Sequence, residues 1–464
     1  MNVSRKKRNH RFFTRICSAF LFLLILFSLP SPAYADETDK TDPAADLDVP
    51  CLIVVDQSDP SVVLYEKNAD QRCIPGSTMK IMTCILSLEL CEDLEQKVTV
   101  TAQAALLKDS NSLMGVIKGE ELTVRQLLYG LMLMSGNDAA LLLAQTLGGD
   151  VEHFVELMNE KAAELGMEHT HFINPSGAYK RDQFSTARDM AVLTCYAMRN
   201  ERFREIVATV HYSIGSSGVR NRTLNMTNSN KLISDPADSR LFYEYATGVK
   251  TGSTAQGGKC LVASASKNGA GVVAVLLGVT EGGSKLDRMS TVYEDAITIM
   301  DLALTEQFVS VSPADLGLDF DRSLPITGAE TKSAQLRPSF TTDSVVLSRI
   351  QAERIMANPE LVQCETDVSF LNAPLTKGDS YAKAVYRING KELFFADLIA
   401  VSSIDSGSAS LSVSTLATPA PATEPESEHR LIQFLPDWAL YAAASFLLGA
   451  IAVFVFCSVK KRKR

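Results

Sequence analysis

Hydrophobic residues follow two different spacings along the first 305 positions of the chain. Apolar runs of strand length stand at residues 51–55 and 62–65, on either side of the polar turn Gln57-Ser58-Asp59-Pro60. Helical spacing and further strand-like runs follow. The helical segments are residues 77–89, 124–134 and 138–146, and the later strands are residues 243–251, 260–266 and 272–279. This order predicts an α/β domain over residues 48–305.

The pattern changes between residues 306 and 403, where short strand-like runs dominate. Asn389-Gly390 separates residues 381–388 from residues 391–400, and this dipeptide is typical of a two-residue β-hairpin turn. We therefore expect a second, small all-β domain. Residues 404–435 are rich in Ser, Thr, Pro, Ala and Glu, which predicts a stalk instead of a packed core.

Both ends of the chain have the pattern of membrane-targeting segments. Six Arg and Lys residues lie in the first fifteen positions, and an apolar run and the small-x-small signal Ala33-Tyr34-Ala35 follow. This order predicts a cleaved signal peptide over residues 1–35, with a retained anchor as the alternative. Residues 438–459 hold no charge and are long enough, at ~1.5 Å per residue, to span a bilayer as a helix. The basic tail, residues 460–464, is expected to face the cytoplasm.

Charge and cysteine content narrow the possible functions. The net charge is −9 although both ends are basic, so the residues between them carry an acidic excess that argues against nucleic acid as a partner. Seven of the nine cysteines lie outside the signal peptide and the apolar C-terminal segment, and their spacing is irregular. We expect most of them to be buried thiols, and the question of one or two bridges stays open.

Three short motifs carry residues suited to acyl transfer. Ser77 and Lys80 stand three positions apart, which places both on one helix face, where the amine could accept the serine proton. This spacing alone is weak, because at least four other Ser/Lys pairs share it. Ser135-Gly136-Asn137 lies between two predicted helices, where a polar turn is the simpler interpretation. Lys250-Thr251-Gly252 ends a predicted strand and could bind a substrate carboxylate.

In this order the three motifs resemble those of the low-molecular-mass penicillin-binding proteins, the serine-type D-alanyl-D-alanine carboxypeptidases. Further similar stretches extend the resemblance over residues 48–403. They are residues 75–83, 138–140, 174–177, 247–254, 261–265 and 371–379. The resemblance implies an α/β (α+β) penicillin-binding, β-lactamase-like transpeptidase domain, followed by the small β-domain and the C-terminal transmembrane helix.

The resemblance also implies a role for each motif residue. Ser77 would attack the carbonyl between two D-alanines, Lys80 would be the general base, and Ser135 would pass a proton to the departing D-alanine. Substrate binding would fall to Asn137, Lys250, Thr251, Gly252, Ser253 and Arg288. The backbone N–H groups of Ser77 and Ser253 would form the oxyanion hole. Ser176 and Ser253 stand where the family commonly has histidine, a departure that concerns substrate specificity more than activity.

The expected function is removal of the terminal D-alanine from peptidoglycan stem peptides that end in D-Ala-D-Ala, with β-lactam antibiotics acylating the same serine. The enzyme would be held at the cell membrane with its catalytic domain outside the cytoplasm. No metal or cofactor is expected, because His169 and His171 have no third ligand nearby.

Three alternatives stay open at this level. A DD-endopeptidase or transpeptidase would use the same residues. A β-lactamase would need a carboxylate-activated water, and no Glu-x-x-Leu-Asn stretch is recognisable between Asn137 and Lys250. A non-catalytic wall-binding module would not need the three motifs to be complete.

Overall fold

The computed structural model describes residues 42–107, 112–216, 218–234, 237, 240–280 and 285–407, with the backbone alone for residues 285–288. The predicted signal peptide, the stalk beyond residue 407, the apolar segment 438–459 and the basic tail lie outside the described residues. Among the helices of the described ranges, none is both long and apolar enough to span a membrane.

The first part of the chain, up to residue 306, contains strands and helices in alternation. Its strands are β1 (Cys51–Asp56), β2 (Asp59–Lys67), β3 (Lys97–Thr99), β4 (Glu121–Thr123), β5 (His211–Ile214), β6 (Leu224–Thr227), β7 (Ala246–Thr254), β8 (Gly258–Lys267) and β9 (Ala270–Val279). Its helices are α1 (Lys80–Leu90), α2 (Ala102–Ala105), α3 (Val124–Leu133), α4 (Asn137–Leu147), α5 (Val151–Glu164), α6 (Ala187–Ala197), α7 (Glu201–Ala208) and α8 (Lys285–Glu306). Short 3-10 turns lie at Gly76–Met79 and Lys231–Ile233.

A five-stranded antiparallel sheet in the order β2-β1-β9-β8-β7 lies at the centre of this part. One face, which includes Ile53 and Val275, packs against most of the helices. The other face, which includes Leu52 and Leu276, packs against α8. Every residue of β1 is buried, so a continuous apolar run takes the place of the alternation of a half-exposed strand. The predicted α/β class and the strands predicted at residues 51–55, 62–65, 260–266 and 272–279 are confirmed.

Local capping explains where the helices next to the site begin. Thr123 and Gln126 form a capping box at the start of α3, with Gln126 N donating to Thr123 Oγ1 at 3.2 Å and Thr123 N donating to Gln126 Oε1 at 2.9 Å. Between α3 and α4 the chain breaks at Ser135, whose φ of 58° is left-handed. The helices predicted at residues 124–134 and 138–146 are confirmed. The helix predicted from Ser77 begins instead as the 3-10 turn that leads into α1.

The prediction for β7 was wrong at both ends. The strand runs from Ala246 to Thr254 instead of residues 243–251, so Lys250 lies inside it and not at its end. The turn comes later, at Gly257 and Gly258, where Gly257 N donates to Thr254 Oγ1 at 2.7 Å and Gly258 has a φ of +68°. β7 is still the last strand of the sheet, and it packs against the 3-10 turn Gly76–Met79.

The second part contains one large sheet. Its strands are β10 (Phe308–Val311), β11 (Arg322–Thr327), β12 (Ser333–Phe340), β13 (Val345–Ser348), β14 (Gln363–Thr366), β15 (Leu371–Asn372), β16 (Ser380–Ile388) and β17 (Lys391–Ala400). The sheet has the order β14-β16-β17-β12-β11-β15, and β10 pairs with β13 beside it. The predicted hairpin is confirmed, with positive φ at both Asn389 and Gly390.

The expectation of an all-β second domain was wrong, because this part also contains helix α9 (Arg349–Ala357) and a 3-10 turn at Pro359–Leu361. Ser348 caps α9 by accepting a hydrogen bond from Gln351 N at 3.3 Å, and Ala352 and Ile355 bury one face of the helix.

The seven cysteines of the described residues are unbridged. Five of them are buried, as expected from composition. Cys73 Sγ lies 2.9 Å from Cys51 Sγ, and this contact joins β1 to the segment before Ser77.

Candidate active site

Ser77 lies in the 3-10 turn Gly76–Met79 and is partly exposed. Thr78 Oγ1 donates to Pro75 O at 2.9 Å and closes this turn. Gly76 has a φ of +58°, and a Cβ at this position would stand 3.0 Å from the side chain of Thr254. The turn therefore lies directly against β7, and the left-handed φ of Gly76 favours glycine, since a side chain there would be strained and would crowd the Thr254 methyl group.

Lys80 is fully buried and lies directly behind the nucleophile. Its Nζ is 3.2 Å from Ser77 Oγ, 2.7 Å from Asn137 Oδ1 and 2.5 Å from Ser176 O. Burial lowers the pKa of Lys80 well below its ordinary value, the nearby Lys250 lowers it further, and Asp138 opposes both. A neutral amine at this position can accept a proton from the Ser77 hydroxyl.

The middle motif places two polar side chains beside the nucleophile. Asn137 begins α4 and accepts a hydrogen bond from Lys80. Ser135 is 8% exposed, and its Oγ has no hydrogen-bond partner among the described residues. A buried hydroxyl without a partner costs ~1–3 kcal/mol, so this oxygen is available to a reacting group. The motif Ser135-Gly136-Asn137 therefore forms a polar turn between two helices, as its residue types indicate. It also contributes Ser135 to the lining of the cleft.

The β7 motif supplies a cation and hydroxyl groups opposite the middle motif. Lys250 is 1% exposed, its Nζ donates to Thr251 O at 3.1 Å, and burial lowers its pKa to about 7. Thr251 Oγ1 lies 3.0 Å from Ser229 Oγ, and Ser253 Oγ accepts from Lys259 Nζ at 3.0 Å. This arrangement is suited to binding a carboxylate.

These elements surround one cleft of about 260 Å³. The residues that line it are Ser77, Ser112, Met134, Ser135, Ser229, Thr251, Gly252, Ser253, Lys259, Met289 and Tyr293. A Cβ on Gly76 would stand 3.5 Å from Ser253 N, so the backbone amide of Ser253 lies next to the nucleophile turn. Two backbone N–H groups in this relation can stabilise an oxyanion. The cleft thus brings together the Ser77 hydroxyl, the buried Lys80 amine behind it, the Ser135 hydroxyl and the polar groups of β7.

The family model for D-alanyl-D-alanine carboxypeptidases matches residues 37–281. The chain belongs to the D-alanyl-D-alanine carboxypeptidase family. Within this family it is 31% identical to the D-alanyl-D-alanine carboxypeptidase DacF of Bacillus subtilis, over 57% of this chain and 66% of that protein. It is 29% identical to DacC of Escherichia coli over 84% of this chain and 91% of that protein.

Solved structures of family relatives share the fold of the described part. The DD-transpeptidase of Streptomyces K15 superposes with a TM-score of 0.51 at 32% identity, over 56% of this chain and 98% of that chain. The carboxypeptidase DacD of Francisella tularensis gives a TM-score of 0.52 over 79% of this chain and 96% of that one, and at 21% identity this match concerns the fold alone. The first part of the chain therefore has the penicillin-binding transpeptidase fold.

The structure brings together most of the residues that the motifs singled out. Ser77, Ser135, Thr251, Gly252 and Ser253 line the cleft, Lys80 and Asn137 meet beneath it, and Lys250 is buried in β7. Arg288 lies in the first turn of α8, where the structure describes the backbone alone. Among the described residues no cluster of His, Cys, Asp or Glu is arranged to hold a metal ion.

Several cleft residues were not foreseen from the sequence. Ser112, Ser229, Lys259 and Tyr293 come from four separate segments and carry no motif of their own. Ser176 was noted only as a departure from the family pattern, yet its backbone oxygen accepts from Lys80. Every residue type has a backbone oxygen, so the sequence could not indicate this contact.

Proposed function

We propose that this protein is a serine-type D-alanyl-D-alanine carboxypeptidase that removes the terminal D-alanine from peptidoglycan stem peptides. The observation that carries the proposal is the contact between the buried Lys80 amine and Ser77 Oγ at 3.2 Å. Family membership supports the same substrate class, and the relatives named D-alanyl-D-alanine carboxypeptidase support the same reaction.

Acylation begins when Lys80 Nζ takes the proton of Ser77 Oγ as this oxygen attacks the carbonyl carbon between the two D-alanines. The carbonyl oxygen gains negative charge, which the N–H groups of Ser77 and Ser253 accept as hydrogen bonds. The C–N bond then breaks, and the proton passes through Ser135 Oγ to the departing amine. Lys250 and Thr251 hold the terminal carboxylate, and Asn137 orients the substrate amide.

Deacylation releases the trimmed peptide. A water molecule attacks the ester carbonyl, gives a proton to Lys80 Nζ and displaces Ser77 Oγ, which recovers the proton as the hydroxyl is restored. A β-lactam places its ring carbonyl at the same oxygen. Because ring opening leaves the departing nitrogen attached to the acyl group, the product stays bound to Ser77.

Substitution of the nucleophile tests this proposal. Ser77→Ala removes the attacking oxygen and is expected to reduce D-alanine release from a pentapeptide by at least ~10⁴-fold. Ser380→Ala is the matched control, because Ser380 and Lys383 have the same sequence spacing in the second part of the chain. An unchanged rate for Ser77→Ala would refute the catalytic assignment.

The transpeptidase reaction is the second candidate, because the Streptomyces K15 relative is named a DD-transpeptidase. Both reactions share the acyl-enzyme and differ in whether water or an amine accepts the acyl group. Incubation with pentapeptide, crosslinked dimer and an acceptor amine separates hydrolysis, endopeptidase action and transfer. Labelled penicillin tests the β-lactamase alternative, since we expect a long-lived adduct, whereas a β-lactamase turns penicillin over. A non-catalytic wall-binding module would react neither with the peptides nor with labelled penicillin.

We also propose that the protein is secreted and anchored by one C-terminal membrane helix, residues 438–459, with the catalytic domain outside and the tail 460–464 in the cytoplasm. The charge-free length of this segment and the basic residues after it support this topology. Alkaline extraction should leave the protein in the membrane, and the mature chain should begin at Asp36. A protein recovered in the soluble fraction would contradict the anchor.

A further inference from the structure

A buried carboxylate stands directly after the middle motif. Asp138 is 1% exposed and lies in the first turn of α4. Its two oxygens accept hydrogen bonds from the backbone of the rim segment, defined as residues 112–117. The bonds come from Met114 N at 2.8 Å, Gly115 N at 2.8 Å and Val116 N at 3.2 Å. One carboxylate therefore holds three successive backbone groups of a segment that has no regular secondary structure.

A buried ion pair holds the same segment from the other side. Arg220 Nη2 donates to Gly115 O at 2.8 Å. The Arg220 guanidinium also binds both oxygens of Glu120, at 2.7 and 2.8 Å, and Glu120 is 1% exposed. The desolvation of a buried ion pair offsets most of the attraction between its charges, so this pair contributes little to net stability. The forked guanidinium of Arg220 is better explained by its role in holding Gly115 and Glu120 in place.

The rim segment and the middle motif form one packed unit. Asn137 N donates to Ser112 O at 3.0 Å, and a Cβ on Gly136 would stand 3.0 Å from Met114 N. Ser112 lines the cleft together with Ser77 and Ser135. A shift of the rim segment would therefore move the amide of Asn137 and the hydroxyl of Ser135 relative to the nucleophile.

We propose that Asp138, with Arg220 and Glu120, is a positioning group that clamps the rim segment and so holds Ser135 and Asn137 in their reactive geometry. This inference rests on the proposed function of the same cleft. None of the three side chains lines the cleft, so each acts through the residues it holds.

The charge of Asp138 also affects the pH dependence of the reaction, which a purely structural group would not change. The charged groups that act on Lys80 are Lys250, which lowers its pKa, and Asp138, which raises it. Asp138→Asn removes the opposing charge, so the pKa of Lys80 falls further. The base is then neutral at lower pH, and the acid limb of the rate profile moves to lower pH.

Asp138→Asn in the full chain is the first test, with fluorescent penicillin and pentapeptide as probes. Since the variant loses one acceptor oxygen for the rim segment, we expect the rate of Ser77 acylation to fall roughly 10- to 100-fold. We also expect the acid limb of kcat/KM to move to lower pH.

Asp189→Asn is the matched control. Asp189 is also a buried carboxylate in the first turn of a helix, where it accepts from His169 N at 3.0 Å and Thr170 Oγ1 at 2.7 Å. Its folded fraction should acylate at the wild-type rate with an unmoved acid limb.

Arg220→Lys carries the test if Asp138→Asn does not fold. Lysine keeps the charge and loses the fork that reaches both Gly115 O and Glu120, so the acylation rate should fall while the acid limb stays in place. Wild-type acylation rates in both variants would overturn the clamp. A wild-type protein that neither binds penicillin nor releases D-alanine would overturn the proposed function itself.

Discussion

At the scale of single residues, the proposed mechanism needs opposite protonation states of two buried lysines. In that mechanism Lys80 is neutral when it takes the Ser77 proton, whereas Lys250 is charged when it attracts the substrate carboxylate. Burial lowers the pKa of both, and the positive charge of Lys250 lowers that of Lys80 further. The pKa of Lys250 is lowered to about 7, so the two requirements are met together only in a limited range of pH.

We therefore expect the decrease of kcat/KM at alkaline pH to follow the deprotonation of Lys250. We expect kcat/KM for a pentapeptide to fall as the pH rises through about 7, because the carboxylate site loses its charge. Lys250→Arg should abolish this alkaline limb, since a guanidinium stays protonated, although its larger head lowers the maximum rate. Initial rates of D-alanine release from pH 5 to pH 9 provide the measurement. An identical alkaline limb in Lys250→Arg would show that another group titrates there.

Residue types predicted part of this site and not the rest. Ser77, Lys80 and Asn137 were identified from their motifs, and the structure places Lys80 Nζ within hydrogen-bonding distance of both Ser77 Oγ and Asn137 Oδ1. The burial of Lys250 could not be foreseen, because a lysine near the end of an edge strand is ordinarily solvated. The clamp through Asp138 was also missed, since its partners are backbone N–H groups that every residue type offers.

At the scale of elements, the nucleophile turn is held by the loop that contains Asn174-Pro175-Ser176-Gly177. A Cβ on Gly177 would stand 2.1 Å from Gly76 O, and Gly177 has a φ of +73°. Thr83 Oγ1 also donates to Pro175 O at 2.6 Å. The loop and the turn are therefore in direct backbone contact, so we expect a side chain at Gly177 to disturb the turn.

Gly177→Ala should displace the nucleophile turn and lower the rate of penicillin acylation at least ~10-fold. Gly166→Ala is a close control, because Gly166 has the same φ of +73° with open space around its Cβ position. The control should lose only about 1 kcal/mol of unfolding free energy from backbone strain and keep its acylation rate. Equal effects of the two substitutions on acylation, measured with fluorescent penicillin, would mean that the loop does not position the turn.

Element prediction succeeded where local chemistry decides the outcome. The capping box of Thr123 and the turn dipeptide Asn389-Gly390 each specify their geometry within a few residues. It failed at β7, whose true end depends on the turn at Gly257-Gly258, and at α9, a helix of nine residues within a region of short strands. At α9, burial of Ala352 and Ile355 in the third apolar cluster stabilises a helix that the surrounding strand pattern did not indicate.

At the scale of the whole molecule, the described chain packs around three apolar clusters. Two lie on opposite faces of the five-stranded sheet, and the third fills the second part of the chain. Their members lie between Ala44 and Ile404. The change of pattern near residue 306 predicted a division into two parts, whereas the packing of α8 against the sheet required the structure.

The ordered contacts continue a few residues past 403, the predicted end of the second domain. Ile404 and Leu375 exchange two backbone hydrogen bonds at 2.8 and 2.9 Å, and Gly407 N donates to Gly328 O at 2.8 Å. These bonds join the end of the described chain to the strand region around β11 and β15. The place where the chain is cut should therefore decide its stability.

A chain that ends at Gly407 keeps all three clusters and these bonds, so we expect an unchanged unfolding free energy and an unchanged rate of penicillin acylation. A chain that ends at residue 403 loses three backbone hydrogen bonds and should be less stable by ~2 kcal/mol, with normal acylation of its folded fraction. Urea unfolding and fluorescent penicillin measure the two quantities. Loss of acylation in the chain that ends at Gly407 would mean that the catalytic fold depends on residues 408–464.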